Sequence, residues 1–154
     1  MPSARRPAMP LRHFLPATLL LLAAQTQATE AHAAELRVTV TGARAAEGQV
    51  GCALHPSAEG FPMDAARGTQ LWLPASPAGV ECRFANLAPG RYAVAVSHDL
   101  NGNRRTDTNF LGIPTEDWGV SNNVRPTLRA PRFEEAAVQV AEGAPTAIEI
   151  RLGR

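Results

Sequence analysis

The chain has 154 residues, 15 of them basic and 14 acidic, for a formal charge of +1, and 45% of it is hydrophobic. So even a balance provides no broad basic field, which argues against nucleic acid and anionic lipid surfaces as partners. Lysine is absent, so arginine carries all of the basic charge.

The first residues read as an export signal. Arg5, Arg6 and Arg12 form a basic start, and Phe14 to Ala24 form an apolar run around Leu19 and Leu22. Ala31-His32-Ala33 then supplies the small residues a signal peptidase reads. The expected leader is residues 1–33, cut after Ala33. An apolar run of about ten residues falls well short of the ~20 that span a bilayer. No stable membrane insertion is therefore expected after cleavage, with an uncleaved anchor as the alternative. Arg5-Arg6 admits twin-arginine export, but Pro7, Ala8 and Met9 fit the Sec route better. The expected location is the periplasm or the extracellular space. Residues 34–154 are then the right length for one domain with its own core.

From Leu36 onward nearly every patterned segment alternates with period two. Leu36, Val38 and Val40 alternate with Arg37, Thr39 and Thr41, and Val50, Cys52 and Leu54 follow Gly48. Thr69 to Leu73 ends at Pro74. Val80 to Phe84, Arg91 to His98, Ala136 to Val140 and Thr146 to Leu152 complete the set. About seven short strands set off by Gly, Pro and Asn predict an all-β sandwich, immunoglobulin-like or transthyretin-like. Residues 136–152 read as a C-terminal hairpin turning at Glu142-Gly143-Ala144-Pro145, and helix is limited to one turn between Glu59 and Arg67. Cys52 and Cys82 share the parity of their apolar neighbours, so both thiols face the core. In an oxidising compartment that pair suggests a disulfide; two buried free thiols are the alternative. Pro89-Gly90 predicts a type II turn with its glycine at positive φ, and the Tyr92 hydroxyl can reach backbone near it. This turn-and-tyrosine element resembles that of transthyretin-like and carboxypeptidase-regulatory-like sandwiches.

Residues 99–134 carry no periodicity, and a segment this long in a compact domain is functional or disordered. Phe110, Leu111, Ile113, Trp118, Val120 and Phe133 give it apolar matter to fold down on the sandwich. An ordered loop over one end or edge of the sheet is expected. It opens with oxygen-bearing side chains at alternate positions, Asp99, Asn101 and Asn103, followed by Asp107. Hard cations such as Ca2+ take about six to eight oxygens. The candidate metal set is Asp99, Asn101, Asn103, Arg105 through its backbone carbonyl, Asp107 and, from outside the run, Glu116, with Asp117 as the other closing carboxylate. Arg104 stands where an EF-hand has glycine, and Phe110 where it has its bidentate glutamate, so any calcium site would be a loop type of modest affinity. The alternative is an array of Asx turns that bond nearby backbone N–H groups.

The string His98, Asp99, Asn101, Asn103, Asp107, Asn109, Gly112-Ile113-Pro114, Glu116, Gly119 and Ser121-Asn122-Asn123 continues with Pro131, Phe133, Glu134 and Ala136. It resembles an uncharacterised family of exported bacterial proteins, domain of unknown function 2141. With the Pro-Gly-x-Tyr turn, the resemblance covers most of the chain after the leader. It implies a periplasmic or secreted β-sandwich and brings no established activity and no assigned catalytic residues. Its members often carry glycine or another small residue where Arg104 stands.

Catalytic groupings are sparse. His98-Asp99 could act as base and orienter, but adjacent strand residues face opposite ways, and Ser97 and Ser121 lack the surroundings of a nucleophile. His98 is better read as a core-edge residue bonding loop backbone. A zinc site from His55, His98 and a carboxylate has no recognisable spacing. Trp118, Asp117 and Asn122 form a candidate ligand surface suited to sugar stacking; the alternative is that Trp118 anchors the loop. Trp72 is expected in the core. The function these readings predict is an exported, non-catalytic sandwich module whose 99–134 loop presents a ligand, metal or partner surface, with an envelope protein or carbohydrate as partner and Ca2+ as the only candidate cofactor. The alternative is an envelope carbohydrate-active hydrolase using the acidic loop residues.

Overall fold

The computed structural model describes residues 33–154, so the expected leader lies outside the described residues apart from Ala33. Two sheets face each other. In the first, β1 (Ala34–Thr41) lies between β4 (Val80–Leu87), antiparallel to it, and β8 (Thr146–Arg151), parallel to it. The second runs β3 (Thr69–Pro74), β2 (Gln49–His55), β5 (Gly90–Asp99) and β6 (Trp118–Val120), each antiparallel to its neighbour. One turn of α-helix, α1 (Phe133–Ala136), leads into β7 (Val138–Val140), which pairs with Gly90 to Tyr92 of β5, and a 3-10 turn at Ala65–Arg67 falls in the span where one helical turn is expected. The all-β sandwich is as the alternation predicts.

Between the sheets lies the core. Leu36, Val38 and Val40 of β1 meet Val50 and Leu54 of β2 and Val94 and Val96 of β5, with Phe84 and Ile150 completing it. Each such side chain contributes on the order of 1.5–3 kcal/mol by leaving water. Cys52 of β2 and Cys82 of β4 form the expected disulfide across the two sheets. Closing that loop contributes about 3–4 kcal/mol in the chain-entropy account.

Three local expectations are corrected. The 99–134 segment is not all loop: it contains β6, which makes eight strands. Residues 136–152 do not form a hairpin. Val140 pairs with Gly90 in one sheet, whereas Ile148 and Ile150 align with Val38 and Val40 in the other, so the chain crosses between sheets at Gly143 (φ 96). That crossing covers an edge of β1 and turns Ile150 into the core. Gly90 does not adopt positive φ. It starts β5, and Asn86 (φ 58) makes the left-handed turn instead. The Tyr92 hydroxyl does donate to the Ala88 carbonyl, at 2.9 Å.

The outer faces of the two sheets differ in kind. β1 and β4 point Arg37, Thr39, Glu81 and Arg83 outward, as a solvated face requires. β2 and β5 point Gly51, Ala53, His55, Ala93, Ala95 and Ser97 outward, and nearly all of these are buried. Their cover comes partly from the chain beyond β6: Val120, Phe133 and Ala136, joined by Phe61, pack on Ala93. His55 sits beneath, fully buried, edge-on to Phe61 with ring centroids 5.4 Å apart, and neither of its ring nitrogens has a hydrogen-bond partner. One polar strut joins this cover to the sheet. β5 leaves β7 at Tyr92 and takes up β6 at Ala95, and in the gap the buried Ser121 hydroxyl accepts from the Val94 N–H (3.0 Å) and donates to the Ala136 carbonyl (2.5 Å).

Ser121→Ala should therefore destabilise the fold by about 1–3 kcal/mol, the cost of stranding a buried donor and acceptor; urea unfolding measures it. His55 carries the acid sensitivity of the outer layer. Burial lowers its pKa from 6.5, so the unfolded chain takes up the proton first. Stability should be constant above pH 6.5 and fall as the pH drops below it, by at most about 1.4 kcal/mol per pH unit. His55→Leu should flatten that fall in melts between pH 5 and pH 7 (roughly the imidazole range).

Candidate functional site

Buried carboxylates and their backbone partners organise the long segment. Asp99, the last residue of β5, is fully buried; its Oδ1 accepts from the N–H groups of Gly102 (2.8 Å) and Asn103 (3.2 Å), and its Oδ2 from that of Arg104 (2.7 Å). Asn101 and Asn103 accept in turn from the N–H groups of Asn103 (3.0 Å) and Arg105 (2.8 Å), and both donate to Asp107. Glu116, 5% exposed, closes the figure: its two oxygens accept from the N–H groups of Leu100 (2.9 Å) and Asp107 (3.1 Å), fastening both ends of the run. All six candidate metal residues thus meet in one hydrogen-bonded knot. Arg105 enters it through its N–H. No grouping of three or more His, Cys, Asp or Glu residues suited to a metal occurs among the described residues. Arg104 takes the left-handed conformation (φ 59), which costs a residue with a Cβ about 1–2 kcal/mol.

The residues read as a ligand surface do not share one. Asp117, 5% exposed, receives a bidentate pair from Arg44 (Nε 2.7 Å), which holds its carboxyl below the usual range. Its carbonyl accepts from the His98 N–H at 2.8 Å, while His98 Nε2 lies 2.8 Å from the Glu47 carbonyl. Asn122 donates to the carbonyls of Glu135 and Ala137, at 3.0 and 3.3 Å, and Asn123 bonds both backbone groups of β8 that it faces. Trp118 stands apart from these, half-buried on the outer face of the second sheet, with the Arg125 guanidinium stacked 4.4 Å from its ring centre. That guanidinium also donates to the Trp118 and Gly153 carbonyls. Arg129 clasps Glu135 with two bonds and, with the Arg132 N–H, pushes its carboxyl down to about 2.

Between these fixtures lies a groove of about 1150 Å³. Two cross-strand rows make its floor, Trp72–Gly51–Ser97–Trp118 and Gln70–Ala53–Ala95–Val120. Loop residues 104–106, 112–114 and 125–131 wall one side and residues 62–66 the other. Trp72, expected in the core, lies on this outer face over Gly51, where any Cβ would collide with its ring. Phe110 (94% exposed), Leu111 and Ile113 do not fold down on the sandwich; they form the tip of a small loop that Asn109 caps by accepting from the N–H groups of Leu111 and Ile113. Along the sequence, the alternation of large and small residues in β2 and β5 is the one signal that pointed to this covered face.

Fold and site together define an all-β sandwich with a knotted loop that walls a groove on one sheet. Residues 38–149 match a family described as an uncharacterised protein conserved in bacteria (DUF2141), and the chain belongs to that family. No curated protein and no solved structure matches the chain.

Glu116→Gln turns an amide donor toward one of two backbone N–H groups. It should cost about 1–3 kcal/mol and loosen residues 100–115 in hydrogen exchange. Because the loop's side-chain oxygens already accept backbone N–H groups, the wild-type melting temperature should be equal in millimolar calcium and in chelator; a rise of several degrees with calcium would contradict this account of the loop.

Proposed function

We propose that the chain is an exported, non-catalytic binding module whose 99–134 loop and the outer face of the second sheet hold a ligand between them. One observation carries this reading: the outer face is floored with Gly, Ala and Ser, and its cover stops short of closing, leaving the groove between Trp72 and Trp118. Ligand sites are concave, largely apolar and few per protein. The carboxylates that a glycoside hydrolase would need facing a shared space are instead spent on structure, Glu116 on backbone N–H groups and Asp117 on Arg44. A disulfide supports an oxidising compartment, and the basic, apolar and small-residue succession over residues 1–33 supports a cleaved leader.

Both tryptophans of the chain line the groove, so intrinsic emission reports on it alone. Titration with fractionated envelope extract should give a saturable emission shift. Ala53→Leu raises the floor and should abolish that shift while leaving the melting temperature within a few degrees. A flat response to every fraction would remove the binding reading. Protein recovered from the periplasm should begin at Ala34, and recovery only of the full-length chain would remove the cleaved leader.

A further inference from the structure

Building on the binding reading, we infer that the groove takes a single anionic amphiphile, an apolar chain ending in a carboxylate, phosphate or sulfate group. The near-neutral charge of the whole chain hides a local excess: of the ionisable side chains lining the groove, five are arginine and one, Asp64, is acidic. Three of those arginines have work within the fold, Arg125 on Trp118, Arg129 on Glu135 and Arg154 beside Asp117. Arg104 and Arg105 do not. Both are exposed, and among the described residues neither meets a carboxylate within ion-pair distance. Arg104 is moreover held at φ 59, a conformation that favours glycine, by the bond from its N–H to Asp99, and among the described residues its guanidinium enters no ion pair. The turn needs only the backbone of that residue, which leaves the side chain free for another use, and two unpaired arginines lining one groove suit an anionic oxygen group.

The remainder of the groove suits an apolar chain. Ser97 is the one polar side chain among the four floor positions on β2 and β5. The amide oxygen of Gln70 accepts from the Trp72 Nε1–H at 3.2 Å and is taken up within the floor. Met63, Ile113 and Leu128 line the rim while 59, 56 and 95% exposed, and clustered exposed apolar residues mark contact surfaces. At about 1150 Å³ the space exceeds what a small anion fills and accommodates an extended chain.

The test is tryptophan emission of the purified protein titrated, below micelle formation, with lysophosphatidylglycerol, with lysophosphatidylcholine of the same acyl chain, with inorganic phosphate and with an oligogalacturonide. The phosphatidylglycerol form should bind saturably at one per chain. The choline form should bind about tenfold more weakly or worse, the loss of a charge-assisted contact, and phosphate and the oligogalacturonide should give no shift. Arg104→Gln with Arg105→Gln should weaken the anionic lipid by about tenfold, bring its affinity to that of the choline lipid on the same variant, and leave the melting temperature unchanged. Equal affinity for the two lipids overturns the inference, as does a response to lipid vesicles alone. A shift with the oligogalacturonide and none with either lipid overturns it too, while leaving a binding groove in place. Silence to all four probes overturns it as well; the binding reading itself falls only if envelope extract is also silent.

Discussion

On the floor of the groove, between Trp72 and Gln70 at one edge and Trp118 and Val120 at the other, the outer face of β2 and β5 carries Gly51, Ala53, Ala95 and Ser97. A sheet face of this composition can neither bury a core of its own nor present polar groups to water. The first sheet shows the contrast, since its outward Arg37, Thr39, Glu81 and Arg83 need no cover. On the second sheet the cover has to come from chain that is not strand, and the long segment after β5 supplies it. Where its apolar residues reach the sheet, at Val120, Phe133 and Ala136, the face closes into a second small core over His55 and Ala93. Where they do not, the face stays open as the groove.

Covering a sheet with irregular backbone raises a second problem, because each buried N–H needs an acceptor that no neighbouring strand provides. The segment answers it with short polar side chains. Asp99 accepts from three N–H groups and Glu116 from two, while Asn101, Asn103 and Asn109 each bond backbone within their own turns. Ser121, Asn122 and Asn123 do the same where the segment crosses β5, α1 and β8. The density of Asp and Asn that resembles a cation loop thus also orders the irregular backbone of this segment through side-chain-to-backbone bonds. The same oxygens at alternate positions would serve either purpose, since Asx turns and loop ligands both ask for a short side-chain oxygen two residues from the next.

The sandwich is legible because its inner face alternates cleanly; parity turns Cys52 and Cys82 inward, and a pair of cysteines in an expected oxidising compartment suggests the disulfide that the structure holds. The supposed hairpin was misread because period two marks a strand but not its partner: Val138–Val140 and Thr146–Arg151 are adjacent in sequence and belong to different sheets. Three-residue β6 is too short to show any period, so it vanished into the loop. Trp72 was assigned to the core because a large aromatic in a short strand normally faces inward, yet Gly51 opposite it leaves room only on the outer face. The small residues of β2 and β5 were visible throughout. A solvated face would have shown Thr, Lys or Glu at those positions, and their replacement by Gly, Ala and Ser was the available sign of a covered face.

The knot at the base of the loop and the arginines above it are separable. The bonds that order residues 99–107 use backbone groups or the side chains of Asp99, Asn101, Asn103, Asp107, Thr115 and Glu116, and none of them uses a guanidinium. Glycine at position 104 would satisfy the same turn with less strain, because the turn asks only for a left-handed backbone and an N–H directed at Asp99. Folding therefore gives no reason for a long cation at that position. Its side chain opens on the groove beside that of Arg105, where the fold supplies neither of them with a counter-charge. Two charges without counter-charge beside an apolar floor set two chemistries side by side, and a ligand with one anionic end and one apolar end would meet both halves at once.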